Sequence, residues 1–561
     1  MKYEEIRKII EQLLNYLSKE NKNGKFPART FYGETFTALS MLMYDKKKYN
    51  KEIEEIMEYY LNKKDKSVKD FHWEFNNYAL FKIYEIENKL EYKENLFPLK
   101  FKGTNCSNWT MLRGLVKVIT GKKEGLKEIR NKIKKNQLEN GLIKDDKKVN
   151  SFQYHSFMLF LLIEAYEVTQ KEWLLNSFIK GINFIYNITL ANGDNSYIGR
   201  GQEQIFGYGP LLYSLEKAFI YTNDKKYKYL QKNVFIYLKK FIKKDGSIPL
   251  VLRASEKKYP FKININDINY LGWYGYNNYF DYLPFLTYFF VLLEQIFNEV
   301  EIEDENIDNK KDYYDGMYYI KRENVNYEAA LAVPDYNGYL TNDMSFPYII
   351  MGDKRITPMY GGEEYGSSLY SLEGIPLPNL FLNLNLREKI KEALYQLIFF
   401  KKISFLDRLK KILKIILKRN KKEEKYYFKN RLIYSLDFKG SFIGEGYFFK
   451  HRRDIEFKKN CIEIKETIIS KDNLKIKEFK ILNIFSLGSL QKKSKKEINS
   501  LINNKNISFE FKGLKEVRID NKKYYCAIDE VTNISCYMEK DNLKKGEKII
   551  FSYKINLNER I

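Results

Sequence analysis

Evenly spaced glycines constrain this chain more than any other feature of its sequence. The segments "ENGLIKDD", "ANGDNSYIG" and "KKDGSIPL" place Gly141, Gly193 and Gly246 at intervals of 52 and 53 residues, and "KNGKFPAR" adds an earlier member at Gly24. Each follows an amphipathic helical pattern, where a glycine supplies the left-handed conformation that ends a helix. Between the glycines each unit holds two helical patterns joined by a tight turn, as in "LLIEAYEVTQKEWLLNSFIKGINFIYNITL" and "LLYSLEKAFIYTNDKKYKYLQKNVFIYLKKFIKK". The first helix of a pair is apolar nearly all round, and the second is amphipathic and rich in lysine. That difference predicts an inner and an outer layer. Helix hairpins stacked with this period form an open solenoid or a closed α/α toroid.

The 561 residues are too many for one ordinary core, and the pattern changes along the chain. Residues 1–300 read as the hairpin domain and the polar, acidic stretch at 301–312 as a linker. Over 313–561 apolar and polar residues alternate, in "DGMYYIKREN", "SFIGEGYFFKHRRDIEFKKNCIEIKETIIS" and "IIFSYKIN". Alternation broken by turn residues predicts an antiparallel β-sandwich. One run interrupts it, "LREKIKEALYQLIFFKKISFLDRLKKILKIILKRNKKEEK" at 386–425, a basic helical insertion. Its apolar stripe either packs on its own domain or makes weak contact with a membrane surface.

The formal charge of +24 concentrates anions at the surface. It invites an acidic partner such as nucleic acid, an anionic membrane or an acidic polysaccharide, although the lysine-rich bias of an AT-rich genome gives the same charge with no partner. The start, "MKYEEIRKIIEQLLNYLSKENKNGK", lacks the apolar centre of a secretory leader, and nowhere do roughly 18 uninterrupted apolar residues occur. No transmembrane segment is expected; the location is cytoplasmic as written, and exported or periplasmic if a leader has been removed. Cys106, Cys461, Cys526 and Cys536 are scattered without ligand spacing, so buried thiols are expected, with no metal and no cofactor.

If the hairpins close into a ring, the glycine turns and the starts of the inner helices share one rim. The residues there are Asn150, Gln153, Tyr154 and His155 after Gly141, then Arg200, Gln202, Gln204 and Tyr208 after Gly193, then Arg253 after Gly246. Other helix starts add His72, Trp73, Asn76, Asn105, Asn108 and Trp109, and "LGWYGYNNYFDYLPF" adds Trp273, Tyr274 and Asn277. The inventory is rich in amides and aromatic rings and poor in paired carboxylates. A glycosidase needs two carboxylates flanking the bond, whereas only Glu74, Asp194, Glu203 and Asp281 are on offer, none twinned. An elimination needs a neutral amide or a cation on the substrate carboxylate, a base for the adjacent proton and an acid for the leaving oxygen.

The segments "NSFQYHSFMLFLLIEAYE" and "GDNSYIGRGQEQIFGYGPLLYSL" resemble the two catalytic segments of the α/α-toroid polysaccharide lyases, the heparinase II/III and toroid alginate lyase group. The later "YLTNDMSFPYIIMGDKRI" and "YFFKHRRDIEF" are similar to that group's sandwich. The resemblance implies an α+β multidomain protein, an incomplete (α/α) toroid of helix hairpins followed by an antiparallel β-sandwich. It implies a carbon–oxygen lyase that degrades a uronate-containing, bacterial polysaccharide, and so an acidic glycan as partner and no nucleic acid. Tyr208 would then move the proton, Arg200 would favour its phenolate, His155 would be the base or clamp, and Gln204 or Asn150 would hold the carboxylate. His72, Trp73, Asn76, Asn105, Asn108, Trp109, Tyr154, Arg253, Trp273, Tyr274 and Asn277 would bind substrate. Two departures stand out: Tyr154 occupies the position before the histidine, where the group often has asparagine, and "YLTNDMSF" lacks the group's histidine cluster. His451 in "KHRRD" is placed at a basic sheet edge or on plain surface.

Two rivals remain. A hydrolase on the same scaffold would depend on one of the four carboxylates, and a non-catalytic glycan-binding or assembly protein would bind without cleaving.

Overall fold

The computed structural model describes residues 1–28, 30–62, 72–96, 104, 106–146, 150–195, 204–250, 252, 279–301, 311–333, 348–352, 354–357, 379–382, 384–399, 405–406, 409–410, 413, 432–482, 490–502, 505–525 and 530–557. The chain divides into two compact units, Met1–Ile307 and Asp308–Ile561.

The first unit is built from α1 (Tyr3–Glu20), α2 (Gly33–Asp45), α3 (Asn50–Asn62), α4 (Trp73–Glu87), α5 (Leu90–Glu94), α6 (Ser107–Ile119), α7 (Glu124–Asn136), α8 (Phe152–Thr169), α9 (Glu172–Ile188), α10 (Tyr208–Thr222), α11 (Lys225–Lys239) and α12 (Tyr279–Ile296). Even-numbered helices are the inner layer. Each packs on the next, from α2 through α10 to α12, and α12 returns against α2; the odd-numbered helices lie outside them. The split follows the sequence. α8 is buried along most of its length, while α7 buries only Ile129, Ile133 and a few small or polar neighbours. The ring is filled rather than open: Phe75 stacks on Phe157 with centroids 5.4 Å apart, Phe206 on Phe285 at 4.7 Å, and Phe160 meets Phe289 edge-on at 4.7 Å. This is the toroid and sandwich architecture that the sequence implies.

The periodic glycines do not cap helices. α7 ends at Asn136, and Gly141 lies in the turn beyond, its N–H donating to the Leu138 carbonyl at 3.0 Å while the Leu138 N–H donates to Leu142 at 2.9 Å. Gly193 repeats these two bonds with Leu190 and Asp194, and Gly246 repeats them with Lys243 and Ser247. Asn140, Asn192 and Asp245, the residues before the glycines, each accept the backbone N–H two positions on, the usual reason for Asx residues in turns. The φ angles of Gly141, Gly193 and Gly246 are +100°, +86° and +86°. A Cβ on Gly141 would lie 2.1 Å from the Lys180 carbonyl oxygen of α9, one on Gly193 2.1 Å from that of Asn233 on α11, and one on Gly246 2.0 Å from that of Gln12 on α1. The turn of one hairpin therefore butts against the outer helix of the next, and the contact on α1 joins the two ends of the outer layer.

Two buried carboxylates complete the join. Asp281 Oδ1, in the first turn of α12, accepts the N–H groups of Phe31, Tyr32 and Gly33 at 2.8 Å each, so it caps α2 from across the ring. Glu216 pairs with Lys228 at 2.5 Å and accepts the Asn298 N–H at 3.0 Å beyond the end of α12.

The second unit holds antiparallel sheets around one apolar core. The largest runs, in spatial order, Leu490–Ser494, Glu497–Ile502, Lys505–Lys512, Lys548–Leu557, Cys461–Ser470, Phe449–Lys458, Phe442–Glu445, Ile433–Leu436. Alternate residues of Cys461–Ser470 point inward, with Ile462, Ile464 and Ile468 in the core, as a strand buried on one face requires. Tyr319, Leu331 and Ile349 come from a second sheet, and Val517, Ile534 and Cys536 from a third. His451, placed at an edge or surface from its sequence, is buried, because it shares the inward parity of Arg453 and Ile455. Of the thiols, Cys536 is buried while Cys106 and Cys461 are only half-buried. Of the insertion at 386–425, α13 (Leu386–Phe399) is a regular helix.

Candidate functional site

The starts of the inner helices converge, as a ring of parallel hairpins demands, and what they bring together is mainly aromatic. His72, just ahead of α4, stacks on Phe31 with centroids 4.0 Å apart and meets Trp109 of α6 edge-on at 5.0 Å. Tyr32 stacks on Phe75 at 4.3 Å, Trp109 stands edge-on to Phe75 at 5.6 Å, and Tyr154 of α8 leans on Phe206 at 5.5 Å. Trp73, Trp109 and His72 keep part of their surface exposed; Tyr154 is nearly covered. Phe31, Tyr32 and Phe206 were missed from the sequence, although aromatic residues at each helix start ("RTFYG", "FHWEF", "QIFGY") were the available signal.

Beside the Tyr154–Phe206 contact lies a pair of amides. Gln153 Nε2 donates to Gln204 Oε1 at 3.3 Å, and both side chains are essentially inaccessible. Gln153 Oε1 and Gln204 Nε2 have no hydrogen-bond partner among the described residues. One acceptor and one donor are thus left over side by side, and leaving buried polar groups unpaired costs about 1–3 kcal/mol each. A hydroxyl or a water, which both donates and accepts, would satisfy the two together, and a carboxylate would satisfy the Gln204 Nε2–H alone.

The His–Tyr pair singled out from the sequence is not part of this rim. His155 Nδ1 accepts the Ile143 N–H at 3.0 Å and its Nε2–H donates to the Gly181 carbonyl at 3.1 Å, so both ring nitrogens are spent pinning the Gly141 turn and α9 onto α8. Gly181 lets α9 approach this closely: a Cβ there would lie 2.5 Å from Leu159 Cδ2 and 3.1 Å from His155 Cε1. Fully buried, with its lone pair engaged, His155 is a structural pin and not a base. Tyr208 stacks on Tyr237 of the outer helix α11, at 6.2 Å, and is likewise fully buried between the layers. Their separation of 53 residues is within one of the 52 between Gly141 and Gly193, so they occupy similar but not identical places in successive hairpins, His155 being the fourth residue of α8 and Tyr208 the first of α10.

The remaining candidates divide. Asn76 accepts from Thr35 Oγ1 at 2.8 Å and donates to the Phe31 carbonyl at 2.8 Å, which ties α4 to α2 and leaves no amide group for substrate. Asn108 Oδ1 accepts the Trp109 N–H at 2.6 Å, and Asn150 is buried just ahead of α8. Asn105, Arg200, Gln202, Glu203, Arg253, Trp273, Tyr274 and Asn277 lie outside the described residues. Of the carboxylates weighed for hydrolysis, Glu74 is buried, Asp194 accepts from Tyr237 at 3.4 Å, and Asp281 is the cap on α2.

Two buried groups titrate in opposite directions. Burial lowers the His155 pKa to about 4, so its contribution to stability is complete above about pH 6.5 and falls by about 3 kcal/mol as the pH drops to about 4. Burial raises Asp281 to about 6 against the pull of its three N–H donors; the folded state takes up its proton first, and this contribution grows as the pH falls from about 6 to about 4. Urea midpoints across that window are expected to rise on acidification in His155→Gln relative to the parent, and to fall more steeply in Asp281→Asn.

No protein-family model matches the sequence, and no curated protein matches it. Among solved structures, a mutant of the heparan sulfate lyase HepC from Pedobacter heparinus is 9% identical, with 98% of this chain and 82% of that one covered and a TM-score of 0.46. The heparinase III BT4657 gene product is 10% identical over 100% of this chain and 86% of its own, with a TM-score of 0.46. A glycosyl hydrolase family 88 protein from Bacteroides vulgatus is 12% identical over 53% of this chain and 99% of its own, at 0.40.

Proposed function

We propose that the first unit is a polysaccharide lyase that cleaves an acidic, uronate-containing glycan by β-elimination at the rim of the inner helices. The observation that carries this reading is the buried Gln153–Gln204 pair with its unused donor and acceptor, set among aromatic rings. The aromatic faces of Trp73 and Trp109 suit the C–H faces of sugar rings. The Gln204 Nε2–H suits the substrate carboxylate, where negative charge accumulates once the neighbouring C–H proton has left. His72 and Tyr154 are titratable groups of the rim: the His72 ring lies 5.9 Å from that of Tyr32, and Tyr154 lies against Phe206. In the reaction one of them removes the proton next to the carboxylate; the electron pair forms the C=C bond, the glycosidic C–O bond breaks, and the other gives its proton to the departing oxygen. The resemblance of 150–167 and 193–215 to toroid lyases supports the same reaction class, with the acid–base roles moved from His155 and Tyr208 to the rim.

Ultraviolet absorbance during incubation with a panel of uronate-containing polysaccharides tests this, because elimination leaves a conjugated unsaturated sugar. Gln204→Leu and Tyr154→Phe are expected to lower kcat/KM by about 100-fold, whereas Tyr208→Phe leaves it within a few-fold. New reducing ends without absorbance would replace the lyase by a hydrolase.

A further inference from the structure

We propose that α13 docks this protein on an anionic lipid surface. α13 covers Glu392 and Ala393 and sets Tyr395 against Tyr447, with ring centroids 5.9 Å apart. The opposite face carries Leu386, Ile390, Leu394 and Ile398 at four-residue spacing, and these aliphatic side chains are 52–75% exposed. Residues four apart lie on one side of a helix, so the four form a continuous apolar stripe. Phe399, Phe405, Leu406 and Leu413 are also exposed, at 47–65%. A soluble surface carries scattered exposed leucines, but not a run of eight large apolar side chains within 28 residues.

The occupant is decided by charge. Over 386–419 lysine and arginine outnumber aspartate and glutamate by eleven to three, and Arg387, itself exposed, lies beside the stripe. Aliphatic side chains flanked by basic ones are the composition that inserts between acyl chains while the cations sit among anionic headgroups. A second copy of this chain would bring the same excess of positive charge to the contact and repel it. No helix among the described residues is long and apolar enough to cross a membrane, so the contact is with the surface. This inference is independent of the lyase reading, because it concerns the second unit alone.

The test is sedimentation of the full chain with vesicles of phosphatidylcholine alone and of phosphatidylcholine mixed with phosphatidylglycerol. Binding to the mixed vesicles, weakening with added salt, is expected. Ile390→Glu with Leu394→Glu should lower partitioning by at least about tenfold. Arg387→Glu should lower it as well, without touching the stripe. Arg387, Ile390 and Leu394 are exposed, so the fold, followed by circular dichroism, and the action of the first unit on glycan stay unchanged. Failure to bind the mixed vesicles, or equal binding to both kinds, overturns the proposal. So does a dimer in sedimentation equilibrium that Leu394→Glu dissociates, which would give the stripe to a second copy.

Discussion

Glu466→Ala is expected to destabilise the sandwich by about 3–5 kcal/mol, the usual cost of stripping one partner from a buried ion pair. The reason is the concentration of charge on one carboxylate in an otherwise apolar core. Arg453 donates to Glu466 Oε1 through Nε at 2.8 Å and through Nη2 at 2.6 Å, and His451 Nε2 lies 2.7 Å from Oε2. The Tyr434 hydroxyl lies 2.9 Å from His451 Nδ1, and Tyr553 donates to Oε1 at 3.4 Å. Burial alone would raise the Glu466 pKa; Arg453 and His451 override it and hold the carboxyl below its usual range. Removing the carboxylate strips a guanidinium that is 1% exposed of the partner that accepts two of its N–H groups in the core. The same physics predicts that Glu466→Leu combined with Arg453→Met costs less than Glu466→Ala alone, since no charge is then stranded. Denaturant unfolding followed by hydrogen exchange in 433–470 measures both, and a double variant as unstable as the single one would contradict the account.

Gly193→Ala is expected to cost the first unit about 3–4 kcal/mol, from a left-handed backbone and from overpacking. The two contributions separate by comparison. Gly121 has nearly the same φ, +82° against +86°, but nothing lies within 4 Å of where its Cβ would be, whereas at Gly193 the Asn233 carbonyl oxygen is 2.1 Å away. Gly121→Ala should therefore show only the conformational penalty, about 1–2 kcal/mol. The difference in their denaturation midpoints isolates the contact between successive hairpins, and equal midpoints would mean that the turn shifts freely.

The glycine period was legible because it is a steric requirement that recurs: a left-handed turn pressed onto a helix backbone admits only glycine, so the ring's geometry is written into the sequence. The reason for it was not. From the pattern alone Gly141 reads as a helix cap, yet its position is set by Lys180, 39 residues further on and on another helix. The same period misdirected the choice of His155 and Tyr208, whose spacing of 53 is within one residue of the repeat's own. A helix that is apolar all round gives no indication of which side faces the ring's centre and which faces the outer layer. His155 proved to face α9 and Tyr208 to face α11.

Local pattern thus determined the helix hairpins, the change to strands near residue 313, the turn chemistry and the basic amphipathic character of 386–425, because periodicity and charge act between near neighbours. Only the tertiary structure decided that Asp281 caps a helix 248–250 residues away, that Glu466 gathers Arg453, His451 and Tyr553 around it, and that Gln153 meets Gln204 with two polar atoms left over. Those contacts depend on which faces of remote segments meet, and a buried polar group is told apart from a surface one only when its partners are in place.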